Sequence, residues 1–269
     1  TLKIRSLMEK KILYLLTCVG LCWSSCTNEV DEFIGNVEPS TRSVSTALNA
    51  NLASLFTGGA PTLTSAEIKE VNDAYAKMTS INCYRNIDEA VRNKTSYAGT
   101  IFLDDTYASA YFRKGSLAFP PYGILASSME HEFIHMYQRD VQGKKVDTDK
   151  EKRDTGMMEF ELAFYQGIIR YIHAGYSWTF KGEDGDPSYQ SLWTSGLTDP
   201  SLIPQYEREF QTYVASICAN GKPTSIDINE FVKWSNIFGE YSRGYSGKGY
   251  KFGNYDYGTS CINSLLKLY

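Results

Sequence analysis

The chain has 269 residues, of which 42% are hydrophobic and 14% aromatic. It is therefore long enough to bury a core without disulfide or metal support, and its composition excludes a disordered chain. Residues 1–26 carry four basic side chains and one acidic side chain, a net charge of +3, which leaves −7 for the remainder of a chain whose total is −4. An acidic domain has no general attraction to nucleic acid, so nucleic acid is not an expected partner.

The first 26 residues have the pattern of an export signal. Lys10 and Lys11 precede the apolar run 12–21, which is too short to be a stable membrane span. The segment Trp23-Ser24-Ser25-Cys26 resembles a bacterial lipoprotein cleavage site, in the Ser-Ser-Cys form common in Bacteroidetes. The resemblance implies cleavage before Cys26, lipidation of its thiol and anchoring to the cell envelope, with the outer membrane as the expected location. An ordinary cleaved signal is the alternative.

A tether and then a folded domain are expected to follow the signal. Residues 27–63 are rich in Ser, Thr, Asn and Gly and predict a linker, so the domain is expected to span 64–269. The capping box Thr64-Ser65-Ala66-Glu67 predicts the start of a helix. Residues 99–119 are aromatic-rich segments punctuated by turn residues, which predicts two or three short strands.

Most of the remaining chain has helical periodicity. A helix is expected to begin near residue 124 or 127 and end near Arg139, followed by a charged surface loop over 138–155 and a long helix over 157–173. Two more helices, a tyrosine-rich and glycine-rich loop over 239–258 and a last amphipathic segment complete the pattern. The fold class predicted by these elements is α+β, dominated by helices, with a small sheet.

His131-Glu132-Phe133-Ile134-His135 is the H-E-x-x-H motif, and it contains two of the three histidines in the chain. Residues four apart on a helix share a face, so both imidazoles can bind one ion at about 2.0–2.1 Å. Glu132 is rotated about a third of a turn from His131, which places its carboxylate beside the open position of the ion. A zinc site is therefore predicted, with Glu132 as the general base for an activated water.

A catalytic zinc site needs a third protein ligand, and the candidates are Glu159, Glu161 and His173. The two glutamates are about 200° apart on a helix, so only one can face the ion. A motif helix followed, after a loop, by a glutamate near the start of a second helix resembles the gluzincin clan of metallopeptidases. The resemblance implies a zincin-like domain with Glu161, followed by Leu162-Ala163, as the third ligand. The other glutamate is expected at the surface or behind a ligand imidazole.

The same resemblance implies a side chain that stabilises the oxyanion, for which Tyr165 is the expected residue and Arg170 and Tyr241 are alternatives. The predicted function is that of an exported, membrane-anchored zinc metallopeptidase, a monomer that acts on peptides or proteins. One alternative is a non-catalytic lipoprotein that binds peptides or glycans through its tyrosine-rich loop and retains a structural zinc site. Another is a zinc amidase acting on cell-wall material.

Overall fold

The computed structural model describes residues 47–59, 61–107, 109–121, 123–144, 152–173, 199–219, 221–242 and 248–269. The predicted signal peptide, with Cys26, and the predicted tether up to residue 46 lie outside these ranges. Among the described residues, no helix is both long and apolar enough to cross a membrane.

Helices dominate the described chain and are accompanied by a small mixed sheet, which confirms the predicted α+β class. The α-helices are α1 (Ala50–Leu55), α2 (Ser65–Ser80), α3 (Asn82–Lys94), α4 (Ala126–Met136), α5 (Lys152–His173), α6 (Ile203–Ile217), α7 (Ile228–Tyr241) and α8 (Ser260–Leu266). A π-helix (Tyr137–Val141) continues α4, and 3-10 turns occupy Pro200–Leu202 and Tyr255–Tyr257. The strands are β1 (Ile101–Leu103), β2 (Tyr111–Arg113), β3 (Ser116–Phe119), β4 (Cys218–Ala219) and β5 (Lys222–Pro223).

The three-stranded sheet has the order β1-β3-β2, with β1 parallel and β2 antiparallel to the central strand β3. The turn between β2 and β3 is tight, since Lys114 and Gly115 both have positive φ, 51° and 77°. This turn leaves β2 at the edge of the sheet, where it contacts α4. The small sheet therefore supports the helix that carries the H-E-x-x-H motif.

The core is formed by α2, α3 and α4 on one side and by α5, α7 and α8 on the other. The predicted capping box is present at the start of α2, where Glu67 N–H donates to Thr64 Oγ1 at 3.3 Å and Thr64 N–H donates to the Glu67 carboxylate at 2.6 Å. Helix α5 is buried on nearly all sides from Gly156 to Ile169, so it is the central helix. Among the described residues, Cys83, Cys218 and Cys261 form no disulfide bond.

Two of the predicted boundaries are wrong. Helix α1 lies inside the predicted tether, and its Leu52 and Leu55 are buried in the core, so the folded region begins before residue 64. A helix of six residues carries too few apolar positions to stand out from a polar composition. The predicted loop over 138–155 is also too long, because its first residues form the π-helix and α5 begins at Lys152.

Candidate metal centre

Helix α4 places the motif between the core and solvent. Met129, Phe133 and Met136 recur at helical spacing, are completely buried and face the core. His131 and His135 lie on a different face, and their side chains are 12% and 14% exposed. The imidazoles are therefore held on a packed helix while solvent can still reach them.

The Glu159 carboxylate completes a group that could hold a metal ion. The Nε2 atoms of His131 and His135 are 3.1 Å apart. Glu159 Oε2 lies 3.6 Å from His131 Nε2, and Glu159 Oε1 lies 3.2 Å from His135 Nε2. Ligands arranged tetrahedrally at about 2.0–2.1 Å from one ion would be about 3.3–3.4 Å apart, so these three separations fit such an ion. Two imidazoles with one carboxylate suit zinc better than calcium or magnesium, which prefer oxygen ligands.

The structure brings Glu159, and not the expected Glu161, to the two histidines. Glu161 is completely buried on the other side of α5, where its Oε2 accepts hydrogen bonds from Gln138 Nε2 at 2.8 Å and from the Tyr257 hydroxyl at 3.0 Å. The two glutamates do point in different directions, as their spacing requires. Which one faces the histidines depends on the rotation of α5, which is set by contacts such as that of Phe160 with Phe231 of α7, with 5.0 Å between ring centroids.

Tyr165, the expected oxyanion residue, is in the core. Its side chain is completely buried, its hydroxyl donates to the carbonyl oxygen of Leu265 at 3.4 Å, and its ring packs on Tyr84. Burial raises the pKa of Tyr165 well above its ordinary value. Tyr165 is therefore a packing residue of α5 and does not contribute to the metal group, so this prediction is wrong.

Two further candidates, one for the third ligand and one for the oxyanion residue, also have contacts elsewhere. His173 is exposed at the end of α5 and packs on Tyr269, with 5.9 Å between ring centroids. Tyr241 packs on Tyr206 at the end of α7. Neither belongs to the group formed by His131, His135 and Glu159.

Gln138 is a site residue that the sequence did not reveal. It is completely buried in the π-helix, where Gln142 N–H donates to the carbonyl oxygen of Tyr137, five residues earlier, at 3.0 Å. Gln138 Oε1 lies 2.9 Å from His135 Nδ1, the ring nitrogen that points away from Glu159. A glutamine three residues after the second histidine is on the same helical face, which is the only sequence signal for this contact.

The pKa values of the two histidines depend on burial and on the charges of the neighbouring groups. Burial and the neighbouring His135 lower the pKa of His131 to about 4. Burial alone would lower the pKa of His135 as well, but the Glu159 and Glu132 carboxylates and the hydrogen bond with Gln138 together outweigh burial and raise the pKa to about 9. A divalent cation at these three ligand atoms would compete with a proton on His135.

Glu132 is buried next to this group. Burial raises the pKa of its carboxyl group to about 8, although the charge of His135 and a hydrogen bond from the backbone N–H of Phe112 in β2 act in the opposite direction. The edge strand of the sheet therefore holds the carboxylate of the motif. The arrangement combines three ligand atoms with one adjacent carboxylate that is not part of the metal group.

The tyrosine-rich loop is anchored by its aromatic rings in the part that the structure describes. Phe252 packs closely against Gly239 of α7, where an added Cβ would lie 2.2 Å from its ring, and against Gly156 of α5. Tyr257 stacks on Phe231, while Tyr255 is 57% exposed. This packing favours a structural role for the loop over the peptide-binding or glycan-binding alternative.

No protein-family model matches the chain, and comparison with curated proteins and with solved structures finds no match either.

Proposed function

We propose that the protein is a zinc-dependent peptidase in which His131, His135 and Glu159 bind the metal and Glu132 is the general base. The observation that carries this proposal is the convergence of the three ligand atoms, all within 4.8 Å of one another, beside the buried carboxyl group of Glu132. Three protein ligands are the number found in catalytic zinc sites, where the fourth position remains open, whereas structural sites use four.

The residues of this site supply the proton transfers of amide hydrolysis. Bound zinc would supply Lewis acidity, which makes a water molecule more acidic and polarises the substrate carbonyl. Glu132 accepts one proton from the attacking water as the water oxygen bonds to the carbonyl carbon. Glu132 then donates that proton to the amide nitrogen as the carbon–nitrogen bond breaks. A buried carboxylate has a higher proton affinity than an exposed one, which suits a group that accepts and returns a proton near neutral pH.

The expected cellular location of the protein and its substrates form part of the same proposal. The export signal and the lipid on Cys26 would anchor the protein to the bacterial cell envelope. Its substrates would then be peptides or proteins that reach the envelope. The net charge of −7 beyond residue 26 supports a substrate other than nucleic acid.

The test is hydrolysis of a mixed-sequence peptide library by zinc-loaded protein, read by mass spectrometry. The wild type should cleave peptides, and so should the control variant Glu89→Gln, which changes an exposed surface residue. A chelator should abolish cleavage. Glu132→Gln should retain zinc but lose at least about 10²-fold in turnover, because general base catalysis is worth 10²–10⁴-fold.

Turnover at the wild-type rate by Glu132→Gln would refute the assignment of the base. A zinc-loaded wild type that cleaves no peptide would refute the peptidase proposal. In that case cell-wall fragments, offered in a parallel reaction, would distinguish a zinc amidase from a non-catalytic binding protein.

A further inference from the structure

We propose that Gln138 and Glu161 are positioning residues, which fix the orientation and tautomer of His135 so that its Nε2 atom is available to the metal. This inference rests on the metal site of the proposed function and not on the reaction that the site performs. It deepens that function by assigning a role to the glutamate that does not bind the ion.

The hydrogen bonds of Gln138 determine which way its amide points. Its Nε2 donates to the carbonyl oxygen of Met158 at 3.0 Å and to Glu161 Oε2 at 2.8 Å. The Met158 carbonyl oxygen can only accept, so a flipped amide would place an oxygen against it. The Gln138 oxygen is therefore the atom 2.9 Å from His135 Nδ1. Because that oxygen can only accept, Nδ1 carries the proton and Nε2 of the neutral ring keeps its lone pair.

Glu161 keeps Gln138 in this orientation. Its Oε2 also accepts the Tyr257 hydroxyl at 3.0 Å, and the Cys261 thiol lies beside the same carboxyl group. Tyr257 is in turn held by Lys144, whose Nζ lies 3.8 Å from the centre of its ring and donates to its carbonyl oxygen at 2.9 Å. The carboxylate therefore has little freedom to rotate away from Gln138.

The chain places a completely buried carboxylate behind one of the two ligand imidazoles. Burial of a carboxylate is costly unless hydrogen bonds offset it. A hydrogen-bond acceptor behind a ligand imidazole makes that imidazole a better donor to a metal and fixes its ring plane. The π-helix contributes because it holds Gln138 in the core at the end of α4, where an ordinary surface turn would release it.

The experiment measures zinc affinity by competition with a chromophoric chelator, together with the visible spectrum of the cobalt(II)-loaded protein and the melting temperature of the metal-free protein. Gln138→Leu and Glu161→Gln should each weaken zinc binding by about 10- to 100-fold, the usual effect of removing such a partner. Both should also alter the cobalt spectrum, because His135 is no longer held in one orientation.

The matched control is Asp88→Asn. Asp88 is another buried carboxylate that accepts a tyrosine hydroxyl, that of Tyr75 at 2.8 Å, but it lies between α2 and α3. This variant should lower the melting temperature and leave zinc affinity and the cobalt spectrum unchanged. A purely structural role for Glu161 would make Glu161→Gln behave in the same way.

Wild-type affinity in both single variants, or a loss in them no larger than in Asp88→Asn, would overturn the inference. Zinc binding that responds as expected in a protein without peptidase activity would overturn only the proposed function, whereas a wild type that binds no zinc would overturn both.

Discussion

Replacement of Glu130 by glutamine should make the stability of the metal-free protein less dependent on pH. Glu130 is 8% exposed on α4, and burial raises the pKa of its carboxyl group from 4.5 to about 7, although the charge of Arg170 acts in the opposite direction. Between these two pH values the folded protein holds a proton that the unfolded chain has released. The wild type therefore loses stability as the pH rises from 4.5 to about 7, and the dependence ends above that pH.

The size of this effect follows from the difference between the two pKa values. At 1.36 kcal/mol for each pKa unit, it corresponds to at most about 3 kcal/mol. A neutral amide carries no such penalty, so the advantage of Glu130→Gln over the wild type should be larger at pH 8 than at pH 5 by up to that amount. Urea denaturation with a chelator present measures both free energies of unfolding, and the exposed Glu89→Gln is the control. Parallel pH profiles for the wild type and Glu130→Gln would refute the reasoning.

Other variants test the packing that positions the site. Thr64→Ala removes the side-chain cap of α2 and should lower the free energy of unfolding by about 1 kcal/mol, whereas an unchanged urea midpoint would contradict the capping box. Phe160→Ala should cost about 3–5 kcal/mol in the same assay, since the ring is completely buried; a cost below about 1 kcal/mol would show that the ring is not packed as described. Gly239→Ala should displace the Phe252 ring, which lies 2.2 Å from the added Cβ, and lower the melting temperature. A higher melting temperature in that variant would mean that the 250–257 segment does not pack on α7.

The parts of the site that depend on local spacing could be predicted from the sequence. The H-E-x-x-H spacing alone places His131 and His135 on one helical face, and the structure has both Nε2 atoms 3.1 Å apart. The capping box at Thr64 is equally local. Because Glu159 and Glu161 are two residues apart on a helix, their spacing also predicted that only one of them could join the histidines.

The choice between those two glutamates could not be made from local spacing. It depends on how α5 is rotated, and contacts such as Phe160 with Phe231, which are far apart in the sequence, set that rotation. Gln138 was assigned to a surface loop because its neighbours are charged, yet its side chain is completely buried. The prediction of Tyr165 as the oxyanion residue was wrong for a similar reason. Helix α5 is covered on nearly all sides, so a position one turn after a glutamate need not face the site.

The most direct test of the central claim is the crystal structure of the zinc-loaded protein, with anomalous diffraction recorded on both sides of the zinc absorption edge. We predict one strong zinc peak about 2.0–2.1 Å from His131 Nε2, from His135 Nε2 and from an oxygen of Glu159. Gln138 should remain hydrogen-bonded to His135 Nδ1 in that structure. A zinc-soaked crystal without a peak at these residues, or a peak coordinated by Glu161 in place of Glu159, would contradict the account.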